Sequence, residues 1–241
     1  MQNRYTGDIG DFGKLGLLRV LQMSGLTIGV NWYLIPDESH NNDGRYVQYL
    51  KNYDYCQLDE ALWQGLNCIV KSQKRGSSSL ESGKILKASF YSEPLAIAGK
   101  DKAERAAIRK GWHEKALMTL SGSDVIFVDP DNGIVVPSAF GTVRENKFVL
   151  PDELADYYNH GASVIYYQHK ARRPDSFYLD QHKELIEIPR LKESIGLGLK
   201  FTKTSQRYYF FIIQPKHKEI VCAAVRNMMA AGWDSCFEVL E

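Results

Sequence analysis

The sequence has no long apolar run, no excess of either charge and no clustered cysteines, and each absence excludes a class of protein. No stretch approaches the roughly 18 consecutive apolar residues of a membrane-spanning helix, so no membrane partner is expected. The opening segment, MQNRYTGDIGDFGK, has acids and glycines where a secretory signal would need an apolar core, which predicts a cytoplasmic chain. Thirty lysines and arginines nearly balance 29 aspartates and glutamates, for a formal net charge of +1. That balance excludes a global basic field that would draw the chain to nucleic acid and leaves room only for a local patch. Cys56, Cys68, Cys222 and Cys236 form no Cys-x-x-Cys pair, which argues against a structural zinc site and suits reduced thiols. What remains is an ordinary composition, 44% hydrophobic and 24% charged over 241 residues, enough for one large α/β domain or two small ones. No repeat or linker divides it, so one domain over residues 1–241 is expected.

Hydrophobic periodicity sets out alternating helices and strands. Residues 11–23 carry Leu15, Leu17, Leu18, Val20 and Leu21 as a helical stripe, with Asp11 as the expected N-cap. Residues 28–35 (IGVNWYLI) predict a buried strand, and residues 44–50 a short amphipathic segment. Helices are expected over 58–72, 100–120, 151–160 and 216–231, and strands over 124–128, 162–168, 197–203, 207–214 and 235–240. GSSSLESG, residues 76–83, is the one low-complexity patch and reads as a flexible loop. Strands alternating with helices predict a mostly parallel sheet covered on both faces.

The most informative segment is DVIFVDPDNG, residues 124–133, in which an apolar strand runs into two carboxylates, a proline, an amide and a glycine. In open α/β sheets ligands bind in the crevice outside the carboxyl ends of the strands. Two other polar clusters follow predicted strands: PDESHNNDGR, residues 36–45, and QHKARR, residues 168–173. If the three strands are parallel, the clusters converge on one sheet edge. Asp37, Glu38, Asp43, Asp129 and Asp131 are hard oxygen donors suited to Mg²⁺, with His169 as a base or a further ligand. In a cofactor reading, the loop after the first strand, with Asp37, Glu38, Asn42, Asp43 and Gly44, holds a ribose or an amino-acid moiety, and the Asp129 turn presents the substrate. The plainer reading makes HNNDG a turn and KARR a solvated loop, although KARR could also hold phosphates.

The segment GDIGDFGKLG brings Asp8, Asp11 and Lys14 close to one side, with Lys14 able to neutralise a phosphate or carboxylate. Its glycines would permit close approach of a ligand, or the segment is a cap packed on the sheet. Its spacing is not that of a P-loop, and no strand precedes it. Pro130-Asp131 followed by Glu145-Asn146-Lys147 mimics the acid-and-lysine set of Mg²⁺-dependent nucleases, which requires Glu145 and Lys147 on a strand beside the first acid.

With its motifs in this order, the chain resembles the class I methyltransferases of the ribosomal RNA adenine-N6 type. Gly10-Asp11-Phe12-Gly13-Lys14 is similar to that family's N-terminal helix motif. Gly44-Arg45-Tyr46 is similar to its Gly-Arg-Tyr, Tyr91-Ser92-Glu93-Pro94-Leu95 to its Tyr-x-Gly-Ser-Pro-Leu, and Asp129-Pro130-Asp131-Asn132 to its catalytic Asp-Pro-Pro-Tyr. The chain is also similar to a widespread bacterial family marked by GDIGDFGK, NNDGR, DPDNG and YQH, which implies no particular activity. The methyltransferase resemblance implies a Rossmann-like α/β fold with an antiparallel strand near the C-terminal edge. It implies S-adenosylmethionine as cofactor, held by the first-strand loop, and Asp129 bonding the acceptor amine of an unpaired or flipped base. Asn132 stands where that motif has its aromatic, so stacking would fall to Tyr5, Tyr166 or Tyr167. The expected function is an enzyme acting on a nucleotide or nucleic acid, with Asp129, Asp131, Asn132, Lys14 and His169 as the reacting set. The alternatives are a Mg²⁺-dependent nuclease or phosphohydrolase, and a catalytically inactive methyltransferase-like binding module.

Overall fold

A computed structural model describes residues 1–37, 44–83, 85–204 and 206–240. In chain order the elements are α1 (Ile9–Met23), β1 (Ile28–Asn31), α2 (Tyr53–Leu58), α3 (Glu60–Lys71), α4 (Ser77–Ser82), β2 (Ala88–Tyr91) and α5 (Lys102–Thr119). There follow β3 (Val125–Val128), β4 (Gly133–Ile134), β5 (Phe148–Val149), α6 (Pro151–Asn159), β6 (Ser163–His169) and α7 (Asp175–Ile186). The chain ends with β7 (Ile195–Phe201), β8 (Arg207–Ile213), α8 (Lys218–Ala230) and β9 (Phe237–Leu240).

Seven strands form one sheet in the order β2-β1-β3-β6-β8-β7-β9. β2, β1, β3 and β6 are mutually parallel, while β8 runs antiparallel to both β6 and β7, and β9 antiparallel to β7. This is the Rossmann-like α/β architecture, with its reversed strands toward the C-terminal edge. Side chains alternate across the strands and divide the core in two. Val125 and Phe127 of β3 and Tyr209, Phe211 and Ile213 of β8 join Leu17, Leu18 and Leu21 of α1 and Val221 and Met228 of α8. Ile126 and Val128 with Tyr208, Phe210 and Ile212 meet Trp112 of α5, Leu154 of α6 and Leu185 of α7 on the other face. β8 is buried at every residue, as a strand covered on both faces must be.

Several boundaries differ from the sequence expectation. Asp8, not Asp11, caps α1, because its side chain accepts from the backbone N–H groups of Gly10 and Asp11. β1 stops at Asn31 because Tyr33 takes a left-handed backbone, φ 45°, that ends strand pairing. GSSSLESG is not a loop but contains the short helix α4, pinned by the fully buried Leu80 and by Ser77 N–H donating to Asn3. β2 and α7 lie in segments that had no assigned element. Among the described residues no helix is long and apolar enough to cross a membrane.

The glycines of α1 make room for side chains of this protein, rings at Gly13 and Gly16 and the Arg207 guanidinium at Gly10. A Cβ on Gly13 would lie 2.6 Å from the Phe201 ring, and one on Gly16 would lie 2.1 Å from the Trp233 ring. Gly111 of α5, by contrast, has open space around it. Glycine to alanine inside a helix ordinarily stabilises by about 1 kcal/mol. Gly111→Ala should therefore raise the urea midpoint, whereas Gly16→Ala should lower it despite the same change in propensity. Equal shifts of the same sign would contradict this packing.

Candidate functional site

β1 is followed in the sheet by β2 on one side and by β3 on the other, so the strand order reverses between β1 and β3. Such a switch point opens a crevice at the carboxyl ends of the two strands. Asn31, Trp32 and Tyr33 leave β1 there, and Asp129-Pro130-Asp131-Asn132 leave β3. The third predicted cluster begins at Gln168 and His169, the last residues of β6, the parallel neighbour of β3, so these strand ends do lie along one edge. Of the first cluster, Asp37 and Gly44 are described, while Glu38, Asn42 and Asp43 lie outside the described residues.

Buried charge fills the crevice. Lys14 reaches up from α1 and donates to Asp129 Oδ2 at 2.5 Å, and its ammonium lies 2.9 Å from Asp11 Oδ1. Asp11 in turn accepts from the Gly7 N–H through Oδ2 at 2.7 Å. Burial opposes the charge on Lys14, but Asp11 and Asp129 together hold its proton more firmly than usual. The Met1 amino group donates to the carbonyl oxygens of Trp32, Tyr33 and Asp129 at 3.0, 2.9 and 2.8 Å, and lies 3.1 Å from Asp131 Oδ1. Gln2 Nε2 donates to Asp131 Oδ2 at 2.7 Å. Burial would raise the Asp131 pKa, yet the Met1 ammonium and the Gln2 amide keep it below the ordinary carboxylate range. The crevice is thus a nitrogen cradle made of three carbonyls and a carboxylate.

The DPDN turn is held in place from β6. Gln168 accepts from the Ile134 N–H at 3.0 Å and donates to the Asn132 carbonyl at 3.0 Å, bridging the turn across Gly133. Gly133 has φ 105°, and a Cβ there would lie 2.1 Å from Gln168 Oε1, so only glycine fits. The backbone of Asn132 also donates to the Lys147 carbonyl at 3.0 Å and accepts from the His169 N–H at 3.2 Å. Asn132 and His169 are therefore brought beside the acids. The His169 side chain is exposed, with its ring 3.4 Å from the Tyr167 hydroxyl.

On the opposite side, Tyr33 ties the crevice to α6. Its hydroxyl donates to Glu153 at 3.1 Å, its N–H donates to Asn31 Oδ1 at 3.0 Å, and its carbonyl accepts from Met1. A fully buried tyrosine in a left-handed conformation is uncommon and stores strain, as functional turns often do. Asp37 and Gly44 flank the same segment: Asp37 accepts from the Arg4 N–H at 3.4 Å, and a Cβ on Gly44 would lie 2.4 Å from the Arg4 carbonyl.

Some expected members are elsewhere. Glu145 and Lys147 lie in a 3-10 helix rather than on a strand; Lys147 is close enough for its charge to help lower the Asp131 pKa, but Glu145 turns toward Arg109 and the Gly141 N–H. The nuclease-like acid set is therefore not assembled around Asp131. Among the described residues no group of three His, Cys, Asp or Glu side chains is arranged to hold a metal ion. Tyr166 is buried and bonded to His182 Nδ1 at 3.0 Å, which removes it as a stacking ring, while Tyr5 is half-buried beside Arg4. Sequence reasoning missed Met1, Gln2, Tyr33, Glu153 and Arg207. For Arg207 a signal existed, a charge opening the otherwise apolar run RYYFFII; for the others none did.

Asp8 completes the buried set. Burial and the neighbouring Asp11 charge push its pKa from the ordinary 3.8 up to about 6, against the pull of Arg207, whose guanidinium lies over Gly10. The folded chain therefore holds this proton more tightly than the unfolded one. Stability from this group is full below about pH 4 and is lost as pH rises to about 6, with a limiting slope of about 1.4 kcal/mol per pH unit. Asp8→Asn keeps a capping oxygen and should flatten that part of the stability profile. Urea titrations across this window would refute the assignment if wild type and variant fell in parallel.

Compared with known proteins, the chain matches no protein-family model and no curated protein.

Proposed function

We propose that this protein transfers a methyl group to an amine of a nucleotide or nucleic-acid base in the β1/β3 crevice. The observation that carries the reading is the nitrogen cradle. The carbonyls of Trp32, Tyr33 and Asp129 and the carboxylate of Asp131 surround the chain's own Met1 ammonium at 2.8 to 3.1 Å. An exocyclic base amine is neutral and has two N–H donors where the ammonium has three, but acceptors so placed suit either. Oxygens that accept those hydrogens orient the amine and leave its lone pair for the new bond, and the ionised Asp131 carboxylate would take the proton that the amine loses as that bond forms. Position supports the same reading, because the cradle sits at the switch point of a Rossmann-like sheet, and Asp129-Pro130-Asp131-Asn132, which resembles the methyltransferase motif, directly follows β3 there.

S-adenosylmethionine, when bound, would supply the methyl group. Asp37 and Gly44, with Glu38, Asn42 and Asp43 between them, are the residues that would hold it, the exposed Asp37 carboxylate suiting ribose hydroxyls. Met1 and Gln2 now fill the crevice, so a base entering it replaces their contacts with Asp129 and Asp131. Lys14 fixes the Asp129 carboxylate, and Gln168 fixes the turn that follows. The metal-dependent alternative has no comparable support, since Asp129 and Asp131 are each already matched by a protein cation.

The test is transfer of a labelled methyl group from S-adenosylmethionine to adenine-containing single-stranded RNA, with calorimetry of cofactor binding alongside. Asp131→Asn, which loses the cradle's charge, should lower transfer by about 100-fold with cofactor affinity retained. Neither cofactor binding nor transfer in the wild type would sink the reading.

A further inference from the structure

A second concavity lies away from the cradle. A cavity of about 280 Å³ opens between α5, the 140–145 segment and the start of α6. Its floor is the buried Arg109, whose guanidinium clasps Glu153 through two hydrogen bonds of 2.7 Å and donates to the carbonyls of Glu145 and Phe148. Glu145, the other lining acid, lies 3.6 Å from the same guanidinium and accepts from the Gly141 N–H. Both lining carboxylates are therefore committed to protein partners.

The rim is different. Lys102 and Lys110 are exposed lining residues of α5 with no ion pair among the described residues. Arg105 is braced against the carbonyls of Lys100 and Gly141 at 2.6 and 2.7 Å, which fixes the mouth. Phe140 also lines the cavity and is 63% exposed, so its ring is open to a ligand there. Ala106 and Leu150 supply further apolar wall.

We infer that this cavity binds a nucleoside monophosphate, its base against Phe140 and its phosphate on Lys102 and Lys110. Three features carry the assignment. The uncommitted charge is all positive, which selects an anion, and lysines serve phosphates as compact point charges. The exposed ring offers a stacking face that any base can use. The volume falls just below the roughly 300–1,000 Å³ of ordinary ligand pockets, which suits one nucleotide and not an oligomer. The assignment stands apart from the reading of the crevice, although the two sites share a wall. Glu153 lines the cavity and also accepts from Tyr33, whose carbonyl belongs to the nitrogen cradle.

Calorimetric titration of the full chain with adenosine 5′-monophosphate tests it, with adenosine, inorganic phosphate and octanoate as separate arms. The monophosphate should bind more tightly than any of the three. The double change Lys102→Gln, Lys110→Gln and the cavity-filling Ala106→Trp should each weaken it by at least about tenfold. Lys102, Lys110 and Ala106 are exposed, so these variants are expected to fold, and thermal melts check that they do. Asp131→Asn should leave the affinity within about twofold. Three outcomes overturn the inference: no binding at millimolar concentration, octanoate binding more tightly than the monophosphate, or binding lost in Asp131→Asn but kept in Ala106→Trp. The last would assign the nucleotide to the crevice, leaving the methyl-transfer reading intact while removing this one.

Discussion

The ion pair between Lys14 and Asp129 is the contact on which the crevice depends. It joins the first helix to the end of strand β3 across 115 residues of sequence, at 2.5 Å and almost wholly out of water. Removing two charges from solvent costs several kcal/mol each unless their remaining hydrogen-bonding capacity is satisfied. Lys14 therefore takes a second partner in Asp11, which is itself held by the Gly7 N–H. The same demand accounts for the glycines of α1. They let the helix lie close under the sheet, with Arg207 over Gly10 and the Phe201 ring against Gly13, so that a lysine side chain can reach Asp129.

A second network braces the other face. Arg109, Glu153 and Tyr33 form a buried chain from α5 through α6 to the residues that leave β1. Burial would raise the Glu153 pKa, but Arg109 keeps its carboxyl below the ordinary range and thus charged. The left-handed Tyr33 is tolerated because its hydroxyl, N–H and carbonyl are all engaged. The cradle is consequently held from both sides of the sheet, by Lys14 below and Glu153 above. Strain and buried charge meet where open α/β sheets place their ligands.

Much of this architecture was legible in the sequence. The alternation of apolar strands with amphipathic helices implied a covered, mostly parallel sheet, and strand β3 with its acidic turn stood out because four apolar residues led directly into two carboxylates. Lys14 and Asp129 were both picked as candidates, but their contact was not, since nothing in local spacing relates positions so far apart. Asp11 looked like a helix cap because it precedes the apolar stripe. Asp8 takes that place because Asp11 is drawn to Gly7 and Lys14. GSSSLESG looked loose by composition, yet Leu80 finds a place in the core and Glu81 accepts from the Trp32 indole.

By itself the sequence determined the class of fold, the position of the acidic turn and the residue types available to it, because periodicity and turn chemistry are local. Only the tertiary structure decided how the charges pair. It set Met1, Gln2 and Lys14 against Asp131 and Asp129, turned Glu145 away toward Arg109, and made Gln168 the clamp of the Gly133 turn. Those outcomes follow from burial, since a charge removed from water must find its counterpart wherever the packed chain brings one.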